Sequence, residues 1–480
     1  MNPHCLSLFS ERDLDRLADA AFDTLGRAGA MYQSETILSA LEAAGAVVDR
    51  PAQVARLPRA MLESVIEHQK QRAAPSTPFW EPASPDGALP GITLQVAQFY
   101  YDHERGERRP GSRSDLVRMV QFGEALDQRE RVSQVLVMRE EPPLVEALEA
   151  ALVLLEHTAR PGDVYPHFAA QFPYLEEIGD LCWGDPNHFL TGGIFMVSPM
   201  RMDRRSADYI VETSRRGLTR GVGTMPVAGV SAPVTRAGAI VVGAADILAG
   251  WAAALALDPD LPVSGGICSG SVDMATGNVS FCSPEAMIQD LGCVELFRRR
   301  FGGQVGVAGG ADYTNAKFPG YQAGFEKAFE AMAISAYTGS HPHLGAGLLD
   351  SGKTFSPLQL LIDRELQAFL WHFAAGAPVD DDHLALDTIT AIGSGIGSSY
   401  IEAEHTLRHY RQNLWFPALL DRGVWRGERE EERPDQRLLA RAQAQFDKIM
   451  ARYQPPEVDR DLLARAREIV DRARRELLGA

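Results

Sequence analysis

From about residue 130 the chain alternates short apolar runs with stretches long enough to be helices, and nothing else in the sequence limits its fold so tightly. The runs fall at 132–138, 164–168, 189–197, 221–230, 263–269, 305–310 and 344–349, and each ends in a polar or glycine-rich loop. Strands spaced this way cannot join as hairpins; they pair in parallel through right-handed crossovers. The pattern predicts an α/β fold, a TIM-type (β/α)8 barrel with N-terminal and C-terminal helical extensions. The eighth strand comes either from the extended stretch near residue 95 or from 399–403. An open doubly wound sheet is the alternative, but no G-x-G-x-x-G opens a helix.

The flanks read as helical. Ser10 with Asp13 resembles a capping box ahead of Leu14, Leu17, Ala21, Phe22 and Leu25, a second helix starts at Ser34, and a third follows Pro58. Residues 73–91 are rich in Pro, Ala, Ser and Gly and predict a linker or ordered loop. Near residue 100, Tyr100-Tyr101 and the turn residues 102–106 predict a hairpin. After residue 366 two apolar stripes, one through Leu438, Ala442, Phe446 and Ile449 and one through Leu462, Ala466, Ile469, Val470 and Ala473, predict a C-terminal helical arm. The domain division is therefore 1–130 (helical extension with hairpin), 131–365 (barrel core) and 366–480 (end of barrel and arm). An arm of this kind can embrace a neighbouring subunit, which motivates a homo-oligomer.

Strand-to-helix loops are where a barrel assembles its chemistry. In the stretch 338–365, His341 and His343 precede an apolar run, Asp350 follows it, and Ser356-Pro357 then caps and opens a helix. The other strand ends offer Tyr165 and His167, Cys268, and Asp312 with Tyr313. The five cysteines are odd in number and scattered, so no disulfide framework or paired-cysteine site is expected, and no metal site is predicted. No G-x-S-x-G elbow supports a serine triad. A net charge of -17 argues against nucleic acid, whose phosphates need a basic face; solubility is the favoured reading of that charge, and an acidic mouth that attracts cationic ligands or a partner's basic docking face is the alternative. No run is read as a membrane span, and the start lacks a signal-peptide pattern, so a cytoplasmic protein is expected.

Several ordered segments together resemble the trimethylamine methyltransferase superfamily: LEAAGAVVD, GERRPGSRSDL, TMPVAGVSAPVTRAG at 224–238, DMATGNVSFCSPE at 273–285, HLGAGLLDSGKTFSPLQLLIDRE, and EHTLRHYRQNLWFPALLDRG at 404–423. The resemblance spans nearly the whole chain and implies methyl transfer from a methylated amine to the cobalt of a corrinoid (cobalamin) carried by a separate corrinoid protein. Archetypal members use pyrrolysine; this chain has only ordinary residues, with 312–317 as the region of the replacement, and is similar to the glycine betaine branch.

A quaternary ammonium has no N–H donor, so its site calls for aromatic faces and at most one carboxylate. On that logic Asp312 or Asp350 stands near the ammonium, and Tyr165, Phe195, Tyr313 and Phe355 are cage faces. His341 and His343 orient a substrate carboxylate, and His167 joins the substrate-binding set. The catalytic set is thus Asp312, His343 and Asp350. Packing is the competing role for each aromatic, and for Phe195 barrel core is the stronger of the two. Two other functions compete: a non-catalytic quaternary-amine-binding barrel, and a zinc-dependent thiol or alcohol methyltransferase.

Overall fold

Gly193–Met196, Arg220–Thr224, Val263–Ile267 and Gln304–Val307 lie side by side in chain order and all run parallel. These belong to a computed structural model that describes residues 5–72, 89–127, 129–190, 193–218, 220–260, 262–394, 396, 399–424 and 434–479. The fold is α/β with parallel sheets. Strand register sorts the side chains into two faces. Ile194, Val222, Gly265 and Val305 align on one face, as do Met196, Thr224, Ile267 and Val307. The helix Arg236–Leu257 covers that face, and its Gly250 and Gly243 let Val222 and Ile267 press against its backbone.

The parallel order extends upstream. Ser133 N–H donates to Ile92 O at 2.8 Å and Val137 N–H to Ala97 O at 2.9 Å, while Val132 N–H donates to Arg160 O at 2.9 Å and Gly162 N–H to Val132 O at 2.8 Å. The stretch near residue 95 thus stands beside 132–138, with Ala97 bridging Leu136 in parallel. The other expected eighth strand, 399–403, is instead a turn of 3-10 helix, Tyr400–Glu402. Among the described residues no backbone ladder joins 161–165 to Gly193–Met196, or 304–308 to 344–349. The run expected at 344–349 contributes only Leu348–Leu349, paired antiparallel with Thr354–Phe355, and Thr354–Phe355 pairs in parallel with Phe99–Asp102. The expected hairpin is present as Phe99–Asp102 against Glu107–Pro110.

Around the sheets the helices follow their sequence signals. Ser10 caps Glu11–Arg27 and Ser34 caps Glu35–Ala43 through their side-chain oxygens. Both helices pack on Arg236–Leu257. In GERRPGSRSDL, Ser112 and Asp115 form a reciprocal capping box, and Arg109 grips Asp115 with two bonds of 2.6 and 2.7 Å. The helix Arg236–Leu257 corrects one expectation, because it is long and apolar enough to cross a membrane. It is a core helix, 78% buried over its most apolar stretch. The C-terminal arm lies on its own chain: Pro434–Met450 packs on Arg113–Leu126 and Pro357–Ala374, and Arg460–Leu478 on Glu146–His157 and Phe172–Trp183. Its stripes are largely buried there, through Leu438, Ala442, Phe446 and Ile449 on one helix and Ala466, Ile469, Val470 and Ala473 on the other. The linker expected at 73–91 falls mostly outside the described residues.

Candidate active site

The sheet face turned away from the long helix is lined by almost nothing. Phe195, Gly223, Gly266 and Gly306 form one row and Gly193, Gly221, Ser264 and Gln304 the next. A (β/α)8 interior is ordinarily filled with branched side chains. Here a β-carbon added to Gly306 would meet no atom within 4 Å. Gly306 is exposed, and Phe195, whose ring lies over Gly223, is 43% exposed. Phe195 therefore faces an open hollow, whereas the sequence favoured core packing for it.

Loops at the carboxyl ends of these strands gather the polar chemistry. Cys268 follows Val263–Ile267 and is buried. Its thiol is hydrogen-bonded to Tyr313, whose ring lies 5.5 Å from that of Phe281 and against Gly309 and Gly352. Burial pushes both the Cys268 thiol and the Tyr313 phenol well above their ordinary values. Asp312, one residue earlier, is 8% exposed and receives Gln95 Nε2 at 3.4 Å on Oδ2. Its Oδ1 is buried without a hydrogen-bond partner and points at the backbone of Gly345. This contact brings the 341–347 loop to the Asp312–Tyr313 loop across the gap in the sheet.

Behind these residues lies a set of carboxyl groups of which sequence reasoning named only Asp312. Asp290, Asp312, Glu330 and Asp363 are all buried, with Lys327 as the buried cation among them. Lys327 Nζ donates to Asp363 Oδ2 at 2.6 Å, and Gly347 N–H and Gln359 Nε2 complete Asp363's bonds at 2.8 and 2.6 Å. Glu330 Oε2 has no partner. Burial raises Asp312 to about 6 and Glu330 to about 9, against the pull of Lys327. The missed signal was the spacing of Lys327 and Glu330 on Tyr321–Thr338 and of Gln359 and Asp363 on Pro357–Ala374, three or four apart on faces otherwise apolar.

A second group sits at the other gap. Tyr165, His167 and Phe195 line a cavity of about 170 Å³ with Arg205 and Tyr209. Tyr165 and His167 have ring centroids 5.1 Å apart. His167 Nε2 is buried without a hydrogen bond, 3.8 Å from Glu146 Oε2, and desolvation with the nearby Arg205 charge lowers its pKa. Burial raises Glu146 to about 7.

Two expected site residues are placed otherwise. Phe355 is fully buried against Gly347 in the core and presents no face to the hollow. Asp350 is 7% exposed and its carboxylate is ringed by cations: Lys317 bonds it, Arg108 Nη2 lies at 3.2 Å and Lys353 Nζ at 3.7 Å. That charge is already balanced by the chain's own cations rather than left open, as the sequence expected, for an ammonium. Asp350 and Ser351 both hold left-handed backbone (φ 51° and 56°), pinned by Asp350 N–H to Ala316 O at 2.9 Å and Ser351 N–H to Thr314 O at 2.7 Å. Their job is to fix the loop around Tyr313. His343 is exposed, its pKa lowered by partial desolvation, and His341 is half-buried.

Comparison with known proteins fits this architecture. The chain is 24% identical over 478 residues to the trimethylamine methyltransferase of Desulfitobacterium hafniense, covering 97% of this chain and 94% of that protein. It is 26% identical over 284 residues to the glycine betaine methyltransferase of the same species, covering 58% of this chain and 57% of that one. The crystal structure of the monomethylamine methyltransferase of Methanosarcina barkeri superposes with a TM-score of 0.50 at 12% identity, covering 94% of this chain and 90% of that one. Residues 2–478 match the profile of the trimethylamine methyltransferase family, and the chain is a methyltransferase belonging to that family.

Proposed function

We propose that this enzyme takes a methyl group from a quaternary ammonium of the betaine type and passes it to a corrinoid carried by a separate protein that docks over the strand ends. The observation that carries the reading is the glycine-lined hollow with the Phe195 ring at its wall and, toward its end, the acids Asp312 and Glu330, each with one buried oxygen left without a hydrogen bond. A closed (β/α)8 ring, with 92–98 as the eighth strand and the two gaps bridged by side chains, is the architecture that goes with it.

The residues fit the chemistry required. Aromatic faces at Phe195, Tyr313 and Tyr165 attract a cation that has no N–H to donate, each for about 0.5–2 kcal/mol. Asp312 supplies one carboxylate whose ionisation the ligand itself favours. Carboxyl groups outnumber cations in this interior, which biases it toward a positively charged guest. His341, His343 and His167 with Arg205 are the groups left to orient a substrate carboxylate. A corrinoid in its reduced state supplies the nucleophile for a methyl group. The C–N bonding pair leaves with a neutral tertiary amine, so no general acid is needed. The ground-state cation loses its charge during transfer, so a modest cage serves better than a tight ring of acids. Strand interiors without side chains leave room for a large planar cofactor to approach.

Assembly is part of the proposal. The helix Tyr321–Thr338 and the loop before it expose Phe318 (64%), Tyr321, Phe325 (78%) and Phe329, a face too apolar for a surface that meets only water. A second copy of the chain in the cytoplasm covers it.

The test is incubation with reduced cobalamin and a panel of betaines, carnitines and cholines, reading methylation of the cobalamin and release of the demethylated amine. No turnover across the panel, with trimethylamine included, rejects the reading. Tight binding without turnover would favour a non-catalytic binder instead.

A further inference from the structure

The segment 380–413 folds into the helices Asp381–Leu384, Leu386–Ile392 and Glu404–Asn413, yet among its described residues none is buried. Helices that share no core need another source of order, and in small units that source is commonly a crosslink or a metal.

The polar side chains here offer one. Asp382, His405 and His409 present ligand atoms that all lie within 4.8 Å of one another. His405 and His409 are four apart on Glu404–Asn413 and so share a face. His409 Nε2 stands 3.1 Å from Asp382 Oδ2, and neither nitrogen of that ring has a hydrogen-bond partner although both are shielded from solvent. Ligands at ~2.0–2.1 Å from a tetrahedral ion stand roughly 3.3 Å apart, so this separation needs almost no adjustment. Arg408 Nη2 occupies the other carboxylate oxygen, Oδ1, at 3.3 Å, which leaves Oδ2 to the site. His405 Nε2 lies 3.0 Å from the Asp382 carbonyl oxygen, which ties this ring to the same residue that supplies the carboxylate. A third imidazole, His383, lies nearby with its ring 5.2 Å from that of His409 and tilted to it by 57°, and the Asp380 carboxylate holds its Nδ1 at 2.8 and 2.9 Å. A carboxylate behind a histidine is the usual second layer of a metal centre.

We propose that Asp382, His405 and His409 bind a divalent transition-metal ion of the zinc class, with His383 adjacent as a reserve ligand. The ion ties Asp381–Leu384 to Glu404–Asn413 and so closes the intervening chain into a fixed unit. Mixed imidazole and carboxylate donors suit zinc, cobalt or nickel rather than calcium or magnesium. This centre is separate from the strand-end hollow, and its existence does not depend on the methyl-transfer reading.

The experiment uses the full-length chain, stripped with a chelator and titrated with Zn²⁺ by calorimetry and with Co²⁺ by visible absorption. The expected result is about one ion per chain, with the intense visible bands of tetrahedral cobalt, and metal-dependent protection of residues 385–403 from proteolysis. A His405→Ala/His409→Ala variant should lose binding at least tenfold and lose the protection, and Asp382→Asn should weaken binding. Because no described residue of the segment enters the core, thermal unfolding of the rest of the chain serves as the check that the variants fold. Substoichiometric binding, or binding that survives the double histidine substitution, means an adventitious ion only and overturns the proposal.

Discussion

A β-carbon placed on residue 345 would stand 0.8 Å from Asp312 Oδ1, so Gly345 and Asp312 share a space that only one of them can enter. The carboxylate reaches across the gap in the sheet because its neighbour has no side chain. Gly345→Ala should therefore push Asp312 out of place, costing about 1–3 kcal/mol of stability, as overpacking does. Methyl transfer should fall more than tenfold. Urea unfolding and initial rates would check both. Adding Asp312→Ala to Gly345→Ala should return the stability but not the rate, a non-additivity that a double-mutant cycle reads directly. Additive losses would mean the two residues act independently.

The buried acids set a pH dependence with a definite sign. Asp312 is raised to about 6 and Glu330 to about 9, so the folded state holds protons that the unfolded chain has already lost. Their contribution to stability is complete below the ordinary carboxyl range near pH 4, and it is lost as pH rises through 6 for Asp312 and through 9 for Glu330. Asp312→Asn should therefore gain on the order of 1–3 kcal/mol relative to the parent at pH 8, and nothing at pH 4. Ligand binding runs the other way. A quaternary ammonium favours the ionised acid, so its affinity should climb as pH passes 6 and its uptake should release protons. Calorimetry in buffers of different ionisation enthalpy measures that release. An affinity that stays flat from pH 5 to 8 would remove Asp312 from the site.

Lys327 and Asp363 are both fully buried and joined at 2.6 Å. Lys327→Met deletes the ammonium and leaves Asp363 with only its amide donors, which should cost about 3–5 kcal/mol. It also withdraws the positive charge that holds Asp312 and Glu330 down, so both should titrate higher still. Lys327→Met/Asp363→Leu should recover most of the stability. A single variant that unfolds at the parent's urea midpoint would show that the pair carries no structural weight.

What could be read in advance followed from local rules. Ser10, Ser34 and Ser112 announce helix starts through hydrogen bonds made within a few residues. The parallel strands at 193–196, 220–224, 263–267 and 304–307 lay inside runs that the alternation marked. The three-residue strands Ala30–Tyr32, Val47–Asp49 and Val54–Arg56 gave no such signal, because Ala30–Tyr32 is extended only by pairing with Arg201–Met202 and Val54–Arg56. Asp350 looked free in sequence and is surrounded by Lys317, Arg108 and Lys353, two of them from distant segments of the chain. Phe355 looked like a loop aromatic and is core because the backbone folds back at Gly347. The hollow itself was legible in principle: Gly193, Gly221, Gly223, Gly266 and Gly306 occupy alternate positions whose partners face the helices. Seeing it required the register, which no single strand carries. His405 and His409 stood four apart in plain view, but their partner Asp382 lies more than twenty residues away and is brought to them only by the fold.

The hollow gives the sharpest separation of stability from activity. Gly306 has an ordinary strand conformation with open space where its side chain would be, flanked in the sheet by Gly266. Glycine inside a strand is costly in the unfolded chain's entropy and packs nothing, so a purely structural account predicts that a larger residue there improves the protein. Gly306→Leu should accordingly leave the melting temperature unchanged or raise it, by roughly 0.5–1 kcal/mol in stability. The same leucine would fill the space that the proposed substrate and cofactor need, so turnover should fall at least a hundredfold with little change at Gly306→Ala. A graded series from Ala through Val to Leu, assayed in parallel by thermal unfolding and by methylation of reduced cobalamin, separates the two effects. If activity survives Gly306→Leu, the reaction does not take place in the hollow, and the cavity lined by Tyr165, His167 and Phe195 becomes the site to examine.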